Sequence, residues 1–220
     1  MTLQGLERVR DRIARAGGDP DRVCIVAATK GQPAERVAEV AASGLLDLGE
    51  SYAQELVAKV EALGEQLDPA VRWHFIGNLQ RNKVRQVAGF IHLWQSVDRL
   101  SLAAEIAHRS PGARVLVQVN VAGLDQQGGC PPERVAAVVE GCRDLGLDVV
   151  GLMAIGPQGS DDVVRAGFRV VRTLADELGL PERSMGMSGD LEAAIAEGST
   201  MVRIGTDLVG PRSRTASVGK

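Results

Sequence analysis

At 220 residues and 23.2 kDa, the chain has the length of one domain or two small ones, and its 45% hydrophobic content can bury a substantial core. A net charge of −3 and a pI near 5.7 leave no electrostatic footprint for nucleic acid, and no apolar stretch reaches the length of a membrane span. Three cysteines, odd in number and without a CxxC, argue against a disulfide framework and for a reducing, cytoplasmic setting.

The first residues form an amphipathic helical pattern (Leu6, Val9, Ile13) with no apolar h-region of the signal-peptide kind. Strand-like and helix-like segments then alternate without interruption. Apolar runs suited to buried parallel strands fall at 23–29, 45–49, 71–76, 91–95, 115–121, 149–155, 184–187 and 201–205. The seventh is short and contains glycine. Between the runs lie helical spacings such as Leu56/Val57/Val60/Leu63, Val135/Val138/Val139/Cys142 and Val163/Val170/Val171/Leu174/Leu178. Cys24, in the first run, and Cys142, on the apolar side of a helix, read as core residues. The densest basic cluster, Arg81 to Arg85, reads as a solvated helix face, and residues 211–220 as a mobile polar tail.

Eight strand–helix units are the count of a (β/α)8 TIM barrel, here with an extra N-terminal helix and spanning residues 1–210 as one domain. An open, doubly wound sheet shares that alternation, but no GxGxxG follows the first strand. Barrel active sites lie at the carboxyl ends of the strands, with phosphate often held after strands seven and eight. Lys30 ends the first run, in a chain with four lysines against twenty-one arginines. A lysine at a strand end can lose hydration and become a nucleophilic amine, although many such lysines only snorkel to solvent. After the seventh run, Ser188 and Gly189 are expected to open a helix, as anion donors or as a plain N-cap. Gly205 and Thr206 close the eighth run. Arg203 shares the inward face of Gly205, so it needs a partner: a ligand, or a carboxylate such as Glu50.

An aldehyde for Lys30, a phosphate for Ser188, Gly205 and Thr206, and a ring acceptor for Arg203 are all present in pyridoxal 5′-phosphate. An arginine there would leave the ring nitrogen unprotonated and the ring a poorer electron sink.

Motifs in one order carry a family resemblance: Ala28-Thr-Lys30, Gly49-Glu-Ser-Tyr-Ala-Gln-Glu55, Trp73-His-Phe-Ile-Gly-Asn-Leu-Gln-Arg-Asn-Lys83, Ser96-Val-Asp98, Ser184-Met-Gly-Met-Ser188 and Gly198-Ser-Thr-Met-Val-Arg-Ile-Gly-Thr206. The chain resembles the pyridoxal phosphate homeostasis proteins, single barrels similar to the N-terminal domain of alanine racemase, from about residue 23 to 210. The resemblance implies that Lys30 carries the cofactor as an internal aldimine and that Arg203 meets its ring nitrogen. It further implies that Ser188, Gly205 and Thr206 bind the phosphate, with Met187, Ile76 and Ser51 near the site. Ser51 stands where the family usually has Asn, Asn78 where it commonly has His, and Gln127 where a lysine is usual.

The expected role is a cytoplasmic, monomeric vitamin B6 binding protein without catalytic residues or a metal, which hands its cofactor to pyridoxal-dependent apoenzymes. An amino-acid racemase of weak activity is the alternative. Racemases take a second base, a tyrosine, from a partner's C-terminal domain; here the only tyrosine, Tyr52, reads as a packing residue. A Schiff-base aldolase would need Lys30 but no cofactor. Metal hydrolysis is poorly served, since His74, His92 and His108 are scattered and His74 reads as a satisfied interior histidine. Glu50 and Glu55 could form an acid/base pair.

Overall fold

A computed structural model describes residues 3–124 and 126–210; the polar tail expected at 211–220 lies outside the described residues. Eight parallel strands close into a barrel in sequence order: β1 (Cys24–Ala28), β2 (Asp47–Glu50), β3 (Arg72–Phe75), β4 (Ile91–Val97), β5 (Arg114–Val119), β6 (Asp148–Ala154), β7 (Glu182–Ser184) and β8 (Met201–Ile204). Pairing of β8 with β1, from Cys24 opposite Met201 to Ala27 opposite Ile204, completes the ring and excludes the open sheet. Helix α1 (Leu3–Arg15) precedes β1. Helices α2 (Ala34–Ala42), α3 (Ala53–Leu63), α4 (Val84–Val87), α5 (Leu100–Arg109), α6 (Val135–Asp144), α7 (Asp161–Glu177), α8 (Leu191–Ala196) and α9 (Thr206–Val209) follow the strands in turn. None of the described helices is long and apolar enough to cross a membrane.

Because both faces of each strand are covered, the strands read as apolar runs rather than alternating ones. The inward residues Val26, Leu93, Leu116, Met153 and Met201 fill the barrel, and a larger cluster lies between strands and helices. Helix α1 crosses α8 and α9 and buries Val9 and Ile13. Each such side chain contributes about 1.5–3 kcal/mol, so apolar burial docks this helix.

Three expectations shift. Strand β7 occupies Glu182–Ser184 instead of 184–187: it pairs with β6 from Glu182 opposite Gly151 to Ser184 opposite Met153, and Gly186 follows at φ +93°. Ser188 and Gly189 do not open a helix; they form a turn, and α8 starts at Leu191. Cys24 is half-buried at the amino end of the barrel rather than in the core, although burial still pushes its thiol up to about 12.

Candidate functional site

Lys30 sits in a tight turn two residues beyond β1. The Gln32 N–H closes that turn on the Thr29 carbonyl at 3.0 Å, and Gly31, at φ +70°, takes the position that favours glycine. The turn is tied to β2 by the Thr29 N–H, which donates to the Gly49 carbonyl at 2.9 Å. Lys30 itself is half-buried. On the other side of β1, a Cβ built on Gly205 would lie 3.9 Å from Ala28, so the Lys30 and Gly205 segments run side by side along the carboxyl-terminal rim.

Arg203 lies on β8 opposite Val26, on the inward face with Met201, and is 4% exposed. One terminal nitrogen donates to the Ser184 carbonyl (2.7 Å) and hydroxyl (2.6 Å); the other donates to the Ala154 carbonyl at 2.7 Å. Those acceptors end β7 and β6, so the guanidinium is held at the same rim. Burial pushes it down to about 10, with Asp190 acting in the opposite direction. Among the described residues it forms no ion pair. Glu50, offered above as its partner, binds Lys59 instead. Three bonds use three of the five guanidinium N–H groups, which leaves two for a further acceptor.

The remaining rim residues come from three more segments. Ile76, half-buried after β3, packs over Gly49, where a Cβ would come within 2.9 Å of its Cδ1. A Cβ on Gly77 would lie 2.2 Å from the Ser51 carbonyl oxygen, so glycine lets the β3 loop press directly on the backbone of Ser51. Ser51 also edges a cleft of ≈ 300 Å³ lined with Tyr52, Gln54, Asn78, Gln80 and Lys83; of the candidate residues, only Ser51 lines it. Tyr52 heads α3 and is 57% exposed, so it is not the packing residue expected. Met187 is exposed and Ser188 half-buried, both just beyond Gly186, whose carbonyl accepts the Arg203 N–H at 3.0 Å. Thr206 is exposed at the first position of α9. Gln127 donates from its amide to the Ile155 carbonyl at 3.1 Å and so braces the rim after β6.

Sequence reasoning missed the support beneath Arg203. The Ser184 hydroxyl donates to Gln95 Oε1 at 2.7 Å, and Gln95 Nε2 donates to His74 Nδ1 at 2.8 Å. His74 Nε2 then donates to Asp47 Oδ1 at 2.9 Å, and Arg72 donates to the same carboxylate from the other side. This order assigns His74 its Nε2–H tautomer. His74 is thus the satisfied interior histidine expected, and a polar chain runs through the barrel from one end to the other. Its members are scattered along the sequence; the one available signal was polar residues inside strands.

No protein-family model matches the chain. It is 43% identical over 213 residues to the pyridoxal phosphate homeostasis protein of Pseudomonas aeruginosa, covering 93% of this chain and 91% of that one. The protein of the same name from Aquifex aeolicus is 42% identical over 220 residues, with 94% and 95% covered. Among solved structures, PipY of Synechococcus elongatus with PLP bound superposes with a TM-score of 0.79 at 32% identity, over 92% of this chain and 100% of that one. The lysine decarboxylase of Selenomonas ruminantium, at 19% identity and a TM-score of 0.69, shares the fold over 94% of this chain and 61% of its own.

Proposed function

The chain belongs to the family of pyridoxal phosphate homeostasis proteins, and we propose that it holds pyridoxal 5′-phosphate at the carboxyl-terminal rim of its barrel, covalently through Lys30. Binding of this cofactor in the service of vitamin B6 homeostasis is its function. When bound, the cofactor supplies an aldehyde that condenses with a lysine amine with loss of water, together with a ring nitrogen and a phosphate to be held.

The observation that carries the reading is Arg203. A buried cation without a carboxylate costs free energy, and here three carbonyl and hydroxyl oxygens only partly offset that cost. An interior arginine with two N–H groups to spare suits an unprotonated ring nitrogen. Thr206, Ser188 and the Gly205 backbone would take the phosphate; a Cβ built on Gly205 would meet nothing closer than Ala28 at 3.9 Å. Ile76, Ser51 and Met187 would border the ring.

The resemblance supports reading it as a non-catalytic protein, cytoplasmic and monomeric, that passes its cofactor to apoenzymes. Borohydride reduction followed by peptide mapping tests it. The pyridoxyl group is expected on Lys30 and absent in Lys30→Ala; label retained elsewhere in that variant overturns the assignment. Alanine racemisation at ordinary enzymatic turnover would overturn the non-catalytic part.

A further inference from the structure

Lys59 is one of four lysines in the chain, and its side chain is 6% exposed. It projects from α3 toward the ends of β1 and β2. Its ammonium has three N–H bonds and meets three acceptors: the Thr29 carbonyl at 2.8 Å, Glu50 Oε2, and Glu55 Oε2 at 3.2 Å. The carboxylates reach onward. Glu55 Oε2 accepts the Gly31 N–H at 2.8 Å, and Glu50 Oε1 accepts the Ser51 N–H at 2.7 Å. Burial pushes the Glu50 carboxyl up, while the Lys59 ammonium and the Ser51 N–H pull the other way. Glu50 and Glu55 are thus both occupied on Lys59 and the backbone, which leaves neither placed as the acid/base pair considered from sequence.

One ammonium and two carboxylates therefore hold three peptide groups: the carbonyl before Lys30, the N–H after it, and the N–H of Ser51. A buried ion cluster is a weak device for stability, since an apolar side chain of similar volume often packs as well. A methionine at 59 could seat α3 on the barrel. It could not hold the Thr29 carbonyl or keep Glu55 aimed at Gly31.

We propose that Lys59, with Glu55 and Glu50, is a positioning residue that clamps the turn carrying Lys30 and so fixes where its amine emerges at the barrel mouth. The proposal rests on the cofactor assignment above. Lysine rather than arginine follows from the geometry: three acceptors converge on one compact ammonium, whereas the planar guanidinium fork would spread them apart.

Three variants test the clamp: Glu55→Ala, Lys59→Met and Lys59→Arg. Circular dichroism and thermal unfolding first establish that each is folded. Glu55 is partly exposed, so Glu55→Ala keeps the test alive should the Lys59 variants fail to fold. Loss of the charge-assisted hydrogen bonds from the Gly31 N–H and the Lys59 ammonium is expected to slow pyridoxal phosphate uptake at Lys30 by about tenfold in Glu55→Ala and to shift the absorption band of the bound cofactor. The effect should be larger in Lys59→Met, without rescue by Lys59→Arg. Amide exchange gives a reading independent of the cofactor: the Gly31 N–H should exchange faster in cofactor-free Glu55→Ala than in the parent. Folded variants with parental uptake, absorption and Gly31 exchange would overturn the clamp. A parent that attaches no cofactor at Lys30 would instead sink the assignment of the site, and Gly31 exchange would still decide whether the clamp exists.

Discussion

Arg203 is where function and stability pull apart most clearly. Its guanidinium is enclosed among oxygens that carry no formal charge, and burial lowers its proton affinity. Replacing it with methionine relieves the buried cation but strips a donor from the Ala154 and Ser184 carbonyls. These effects oppose each other at about 1–3 kcal/mol apiece. Arg203→Met is therefore expected to leave cofactor-free stability within about 1–2 kcal/mol of the parent in urea unfolding. Pyridoxal phosphate binding in the same variant should weaken by about tenfold or more, the worth of a charge-assisted hydrogen bond. A folded variant that is several kcal/mol less stable yet binds the cofactor as the parent does would make Arg203 a structural residue. At this scale the sequence was informative: Lys30, Arg203 and Gly205 stood out as residue types suited to one chemistry. The Lys59 clamp was hidden, because a lysine on an amphipathic helix reads as solvated until its acceptors from other segments are known.

Among the elements, α1 is the addition to the barrel that bears on the site. Val9 and Ile13 dock it, while Arg12 orients what lies beneath. Arg12 donates to Glu192 on α8 at 2.6 Å, to Asp207 on α9 at 3.2 Å and to the Ser188 carbonyl at 2.8 Å. The ion pairs are partly exposed and worth about 0–1 kcal/mol each, so they contribute little to overall stability. They do tie together the two segments proposed to receive the phosphate. Arg12→Ala should thus unfold within about 1 kcal/mol of the parent, yet bind pyridoxal phosphate several-fold more weakly, with binding of phosphate-free pyridoxal unchanged. Titration with both compounds checks this, and equal losses would place the effect away from the phosphate. Apolar periodicity located the helix, but its hold on Ser188 was not legible, since 176 residues separate donor from acceptor. The bounds of β7 were not legible either: its pairing with β6 takes in the polar Glu182 and Arg183 and stops at Ser184, while the apolar run continues.

For the whole molecule, alternation of strands and helices conveyed the number of units, and barrel closure supplied everything that depends on distant strands meeting. The polar chain from Arg203 to Arg72 draws on β8, β7, β4, β3 and β2, so no window of sequence contains it. Asp47 anchors that chain at the amino end of the barrel. Burial alone would raise its carboxyl, but hydrogen bonds from Arg72 and His74 outweigh burial and hold it well below the ordinary 3.8. A depressed folded-state value means that the group contributes stability above its unfolded value and loses that contribution as pH falls below it. The parent should therefore weaken steadily below about pH 4, the usual carboxylate range. Arg72 is 47% exposed, which discounts the pair for screening and leaves an expected contribution of about 2 kcal/mol at neutral pH. Asp47→Asn should lose that amount at pH 7 and show a flatter acid limb, its gap to the parent narrowing steadily as pH falls below about 4, when urea unfolding of the cofactor-free protein is followed from pH 7 downward. Parallel curves with a constant offset would mean that Asp47 acts through packing, and that the interior chain ends at His74 without an anionic anchor.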